Sequence, residues 1–322
     1  MSDNINKMKS LYLPIDTETI QPGTQQPFKF YFKASDGNMV PCNIGGEASN
    51  GEVSGRIQEK NITEKLYIQK KDKTNYYLYV EENLENILFN PRIDTAVKAK
   101  TAYNTIMNVA ESLFKGPKAK TIQRYKKIIF TTTEFIFEDD EALQKMISLT
   151  TFDFSIYNHN VNVGIFSIGL AKELLGSDKE HDFHEMAAGF FLHDIGLSTV
   201  PADILNKKGL LSPVEWKFIK KHPAEGCRIL GQFGALTTEA KIIVYQHHER
   251  HNGKGYPEGL KGSDIHIYGK ICAISDVFDG LTSYRPYKNE YSSFNALKIL
   301  KNEMSRDFDP EIFSTFVQLF RD

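Results

Sequence analysis

The chain has 322 residues, 41% of them hydrophobic and 25% charged, and its 39 basic and 41 acidic side chains leave a formal net charge of −2. That length exceeds one ordinary core and predicts two domains, or one domain with an accessory region. Near-neutral charge without a run of five or more like charges gives no sign of the basic stripe that wraps a nucleic-acid polymer, so such a polymer is not an expected partner, and room is left for a small anionic ligand.

The first ten residues carry charges but lead into no apolar segment, unlike a signal peptide. No apolar run approaches the ~20 residues needed to span a bilayer. A cytoplasmic protein without membrane insertion is expected. Cys42, Cys227 and Cys272 are widely spaced and form no CxxC pair, so they read as buried, inert thiols rather than as a disulfide framework.

Residues 1–82 read as a small β-rich domain with an accessory or regulatory role. Leu11–Ile15, Phe28–Lys33, Lys65–Gln69 and Tyr76–Val80 are short aromatic and β-branched segments. Asp36-Gly37 predicts a hairpin turn, and residues 45–51 a loop. Residues 83–149 change to helical spacing, with breaks at Pro91 and Gly116-Pro117, and read as a linker of two or three helices. Such helices form either a dimerising bundle or a packing layer for the next domain.

Residues 150–322 are again mainly helical. Val161, Ile165, Ile168 and Leu175 mark one apolar face of a helix through His159, and Ser212-Pro213-Val214-Glu215 forms a capped helix start ahead of Trp216, which reads as a core anchor. Pro223 disfavours helical geometry in the residue before it, so a helix ends near His222. The predicted architecture is thus α+β: a β-rich N-terminal domain, a helical linker and an all-α C-terminal bundle.

All nine histidines lie between His159 and His266. His159, His193, Asp194, His222, His247, His248 and Asp276 together supply imidazoles and carboxylates, ligands suited to iron, manganese or zinc. A carboxylate can bridge two ions, and a bridging Asp194 would hold them about 3.5–4 Å apart, the spacing that clamps a phosphoryl group. Each piece alone is commonplace; the adjacent pair His247-His248 is more telling, since both rings can reach one point from a helix. His181 and His184, in a polar stretch, read as solvated, and so do Lys207-Lys208 and Lys220-Lys221. His251 reads as a neighbour of the pocket. Asp279, one helical turn beyond Asp276, reads either as a residue that orients a ligand from behind or as a structural cap.

The series His159, His193-Asp194, His222-Pro223, His247-His248-Glu249, Gly253, Gly255-Tyr256-Pro257 and Ser275 to Tyr287 resembles the HD-GYP subgroup of the HD-domain superfamily over about 150 residues. The resemblance implies an all-helical domain with a buried binuclear centre. It also implies hydrolysis of the bacterial messenger cyclic di-GMP to pGpG or GMP, with His193 and Asp194 at its catalytic heart. It makes the seven residues above ligands of two divalent ions, iron or manganese first, with zinc, nickel and cobalt as alternatives. It assigns Arg285 and Lys288 to the substrate phosphates and Tyr256 to the pocket wall. Two positions depart from the pattern: Leu197 stands where members carry lysine, and Ser155 where members with a third metal carry glutamate. These departures keep two other readings open, a catalytically weak module that binds cyclic di-GMP or protein partners, and a phosphohydrolase of another nucleotide.

Overall fold

The computed structural model describes residues 11–21, 23–34, 37–42, 65–151, 155–176, 180–207, 209–284 and 290–320. Arg285, Lys288, Asp36 and the 45–51 loop lie outside them. Two compact units divide the chain, Met1–Thr105 and Ile106–Asp322.

The first unit holds a four-stranded antiparallel sheet of β1 (Tyr12–Ile15), β2 (Phe30–Lys33), β3 (Met39–Cys42) and β4 (Leu66–Gln69), in the order β1-β4-β2-β3. Alternation sets its inner face, with Leu66 and Ile68 fully buried between half-buried neighbours. Gly37, at φ +87°, closes the β2–β3 hairpin by donating to Ala34.

Tyr76–Val80, expected as a strand, lies instead in helix α1 (Lys73–Glu82). Its buried residues Tyr76, Tyr79 and Val80 recur at helical spacing and close the sheet's open face. Phe28 meets the Tyr76 and Tyr79 rings edge-on, and the Tyr79 hydroxyl accepts from Gln21 N at 2.8 Å. Tertiary packing thus overrides the strand preference of four aromatic or β-branched residues. Helix α2 (Leu84–Leu88) follows, and α3 (Thr95–Lys115) crosses the division between the units.

The breaks anticipated at Pro91 and Gly116-Pro117 fall between α2 and α3 and between α3 and α4 (Ala119–Glu138). The second unit continues with α5 (Ala142–Leu149), α6 (Ile156–Leu175), α7 (Phe183–Phe191), a 3-10 turn (Ile195–Thr199), α8 (Ala202–Leu205) and α9 (Pro213–Ile219). It ends with α10 (His222–Gln232), α11 (Thr238–Gln246), α12 (Ile267–Thr282), α13 (Ser293–Asn302) and α14 (Pro310–Gln318). Helix α6 is the hub. It was expected to bury one stripe, yet every residue from His159 to Ala171 is buried, because α5, α7, α12 and α14 surround it. Phe166 on α6, Phe278 on α12 and Phe316 on α14 form an edge-to-face cluster with centroids 5.2–6.4 Å apart.

Ser212 and Glu215 make both hydrogen bonds of the expected capping box. Trp216, expected as a core anchor, is 46% exposed, and no residue of α9 is buried. His181 is not solvated either: it is half-buried, with Nδ1 2.7 Å from the Tyr268 hydroxyl, and His184 Nε2 lies 3.3 Å from Glu134. Cys272 is buried, while Cys42 and Cys227 are only half-buried, and none of the three forms a disulfide. No helix among the described residues is long and apolar enough to cross a membrane.

Truncating Phe278 to alanine should remove about 3–5 kcal/mol of stability, the usual cost of an emptied aromatic site. Phe294→Ala, at a position 75% exposed, should stay within about 0.5 kcal/mol of the parent. Denaturant unfolding followed by circular dichroism compares the two.

Candidate metal centre

Three of the seven candidate ligands sit where helices run out of internal partners. The last carbonyls of a helix lack an N–H four residues ahead, and a histidine just beyond the end can donate to one. His193 follows α7 and places Nδ1 2.9 Å from Phe190 O. His222 follows α9 and places Nδ1 2.8 Å from Ile219 O, and His247 closes α11 with Nδ1 2.9 Å from Val244 O. A carbonyl only accepts, so each Nδ1 carries the proton and each Nε2 presents a lone pair. The helix boundary predicted from Pro223 is the device that holds His222.

These lone pairs converge on the buried Asp194. On one side, Oδ1 lies 3.1 Å from His222 Nε2 and 3.5 Å from His247 Nε2. On the other, Oδ2 lies 3.6 Å from His159 Nε2 and 3.7 Å from His193 Nε2. Asp276 extends the arrangement, with Oδ1 3.2 Å from His159 Nε2 and Oδ2 3.4 Å from His248 Nδ1. The residues compatible with a metal ion fall into two groups, His159–His193–Asp194 and Asp194–His222–His247–His248, which share Asp194.

The donors fit cations better than they fit one another. His222 Nε2 and His247 Nε2 face each other at 3.0 Å although both Nδ1 atoms already donate to carbonyls. His193 Nε2 and Asp194 Oδ1 are buried without a hydrogen-bond partner. Orphaned buried groups cost on the order of 1–3 kcal/mol each, a penalty that coordination removes.

Burial pulls His193 down to about 4, so it is a neutral imidazole at pH 7, and burial with His247 beside it holds His248 well below its ordinary range. Burial opposes the ionisation of Asp194, but the surrounding imidazoles prevail and hold its carboxyl well below the usual range. Asp276 behaves alike, with His159 as the main opposing partner. Burial also pulls on His159, yet Asp276 and Asp279 together raise it to about 10. A proton on His159 Nε2 thus holds a place that a metal ion would take.

Asp279 is no helix cap. Its Oδ2 lies 2.7 Å from His159 Nδ1, while Asn162 donates to Oδ1 at 2.8 Å and Ser283 to Oδ2 at 3.1 Å. Asn160 accepts from Asp194 N at 3.3 Å. The two asparagines, fully buried on α6 beside His159, went unassigned in the sequence reading. Their signal is legible: asparagine is a poor helix former, and two of them inside an apolar helix need partners.

Close backbone approach fixes the remaining pieces. A Cβ on Gly196 would collide with the His222 carbonyl, and one on Gly255 with backbone atoms of residues 248–250. Glu249, also unassigned from sequence, is 1% exposed and accepts from the N–H groups of Glu258, Gly259 and Leu260 at 2.7–3.1 Å, latching the Gly255-Tyr256-Pro257 turn beneath the histidine pair. Tyr256 stacks on His248 at 4.6 Å, and Lys220 Nζ stands 5.3 Å over the tyrosine ring, so this lysine is not merely a solvated one. Arg250 donates to the His247 and Glu249 carbonyls, and its guanidinium lies 3.9 Å from Asp276. The partners of His251 are not candidate ligands: its backbone N–H donates to Asp307 O and its Nδ1 lies 4.0 Å from Asp309. Ser155 caps α6, accepting from Asn158 N at 3.1 Å, and Leu197 is half-buried in the 3-10 turn after Asp194.

A family profile described as HD domain matches residues 141–312, more than half the chain, and spans all seven candidate ligands. The chain belongs to the HD domain family. Within the HD domain, the motif series from His193-Asp194 to Gly255-Tyr256-Pro257 is that of the HD-GYP subgroup. Among curated relatives, the cyclic di-GMP phosphodiesterase PA4108 of Pseudomonas aeruginosa is 34% identical over 183 residues, 57% of this chain and 44% of that protein. The 3'3'-cGAMP-specific phosphodiesterase 3 of Vibrio cholerae is 29% identical over 235 residues, 72% of this chain and 47% of that protein. The chain spans about half the length of the curated relatives it matches. Among solved structures, the HDG"Y"P protein Bd1817 of Bdellovibrio bacteriovorus superposes with a TM-score of 0.66 at 23% identity, covering 97% of this chain and all of that one, which establishes a shared fold.

If Asp279 aims His159, Asp279→Asn should weaken metal binding about 10–100-fold, the usual effect of losing a partner behind a ligand. Competition with a chelator reads the affinity. Unchanged affinity would assign Asp279 to folding alone.

Proposed function

We propose that this chain is a metal-dependent phosphodiesterase that hydrolyses cyclic di-GMP to pGpG or GMP. The observation that carries the reading is the shared carboxylate of Asp194, whose two oxygens face two separate sets of imidazole Nε2 atoms. The names of the relatives support the substrate class.

His159 and His193 would hold one ion and His222 and His247 the second, with Asp194 common to both groups. His248 and Asp276 would complete the set. The chemistry such ions supply is Lewis acidity toward phosphoryl oxygens and activation of water near neutral pH. Mixed imidazole and carboxylate donors suit two divalent ions, iron or manganese first, with zinc, nickel and cobalt accepted by the same cage.

The chain's own residues do the positioning. The Nδ1 bonds to helix-end carbonyls fix the direction of each Nε2 before substrate arrives, so no ring has to turn during the reaction. The Tyr256 ring, held against His248 and kept protonated by burial, offers a flat wall on which a nucleobase or ribose can rest. Arg285 and Lys288, assigned to the phosphates through the family resemblance, follow directly on α12, which carries Asp276. Residues 83–149 serve as a helical linker, and residues 1–82 as a regulatory domain that receives a signal or a protein partner. A cytoplasmic location suits a cyclic dinucleotide substrate, and a homodimer through the linker is part of the same proposal.

A second reading rests on Leu197. Losing one preorganised donor near a developing charge typically lowers kcat about 10²–10³-fold. A chain with leucine there works either as a slow enzyme or as a receptor that binds the dinucleotide and signals through partners.

Metal-replete protein, purified anaerobically and mixed with cyclic di-GMP, 3'3'-cGAMP and other nucleotides, should convert cyclic di-GMP first, with products separated by chromatography. Asp194→Asn should abolish turnover and lower metal content. Binding without cleavage under every metal would select the receptor reading, and faster cleavage of another nucleotide the third. Leu197→Lys should raise kcat by about tenfold or more if position 197 faces the reacting phosphate; an unchanged rate would remove that position from the mechanism.

A further inference from the structure

Among the described residues, five of the eleven exposed large hydrophobic side chains fall between positions 205 and 218: Leu205, Leu210, Val214, Trp216 and Phe218. Leu210 is 94% exposed and Val214 63%. Helices α8 and α9 contain no buried residue. The capping box of α9 and the Lys207–Glu215 ion pair give the segment internal order. It is therefore a built surface that does not spend its apolar side chains on the core.

Charge identifies what such a surface fits. Residues 203–221 contain five lysines against Asp203 and Glu215, a net of +3 on a chain whose whole is −2. Glu215 is already committed to Lys207 and Ser212. Lys217, Lys220 and Lys221 are exposed, and Lys221 Nζ stands 5.8 Å over the Phe218 ring. A groove that receives a peptide shelters its apolar lining, whereas here Leu210 and Val214 project outward. Aromatic and aliphatic side chains flanked by lysines match the interface between headgroups and acyl chains.

We infer that the α8–α9 segment is a peripheral docking surface for an anionic lipid bilayer, with Leu210, Val214, Trp216 and Phe218 entering the acyl boundary and the lysines resting on the headgroups. No membrane-spanning helix is involved. The segment joins the 3-10 turn after Asp194 to His222, so docking would orient the catalytic unit at the membrane surface.

The chain provides its own reporter, because Trp216 is its single tryptophan. The full-length, metal-loaded protein is titrated with phosphatidylcholine vesicles with and without phosphatidylglycerol. Docking should shift tryptophan emission to the blue and protect it from iodide quenching with the anionic vesicles only. The effect should weaken as salt rises, since the screening length falls from about 10 Å at 0.1 M to about 3 Å at 1 M. Leu210→Ser/Phe218→Ser and, separately, Lys217→Glu/Lys221→Glu should each lose the shift. If the first pair melts below the parent, the second pair decides. No shift with anionic vesicles, an equal shift with neutral ones, or retention of the shift by a variant that melts like the parent overturns the inference. A blue shift that grows with protein concentration without vesicles also overturns it, because the surface then belongs to a second copy of the chain.

Discussion

The carboxylate of Asp194 is the interaction on which the second unit is arranged. A buried carboxylate is costly in a low-dielectric interior unless opposite charge surrounds it. Here four Nε2 atoms, two facing each oxygen, are delivered around it by α6 and by the ends of α7, α9 and α11, and cations held among them would supply that charge. These elements pack around that point: α6 against α7 and α12, α11 against α7 and α12, and α10 against the turn that follows Asp194. The contact of Gly196 with the His222 carbonyl is part of the same arrangement, since it sets how closely two ligand-bearing segments approach.

Much of this was legible in the sequence, for a physical reason. Metal ligands are costly residue types to bury, so their order along the chain is informative even before the fold is known. Pro223 announced the helix boundary that holds His222, and Ser212 to Glu215 announced a cap that the structure contains. The helix breaks at Pro91 and Gly116-Pro117 also follow from backbone chemistry alone.

What escaped the sequence reading depends on partners distant along the chain. Tyr76, Tyr79 and Val80 satisfy strand and helix patterns alike, and only Phe28 and Gln21 decide between them. Trp216 looked like a core residue because tryptophan usually is one; its exposure goes with that of the whole of α9, none of whose residues is buried. Glu249 appeared inside a motif, but its work, accepting three backbone N–H groups from residues 258–260, becomes visible only when the chain turns back on itself. The partners of Asp279, His159 at 2.7 Å and Asn162 at 2.8 Å, lie more than a hundred residues away along the chain.

The bonds from His193, His222 and His247 to the carbonyls of Phe190, Ile219 and Val244 have a consequence for how such a site changes over time. Each ring is aimed by the backbone three residues before it, and not by another side chain that mutation could remove. The cage is thus modular: its three units carry their own alignment and need only be brought together by the bundle. A neighbouring position such as 197, in the turn after Asp194, can then change its side chain while the cage persists. A scaffold of this kind can lose, recover or redirect catalysis by single substitutions without first having to rebuild its metal centre.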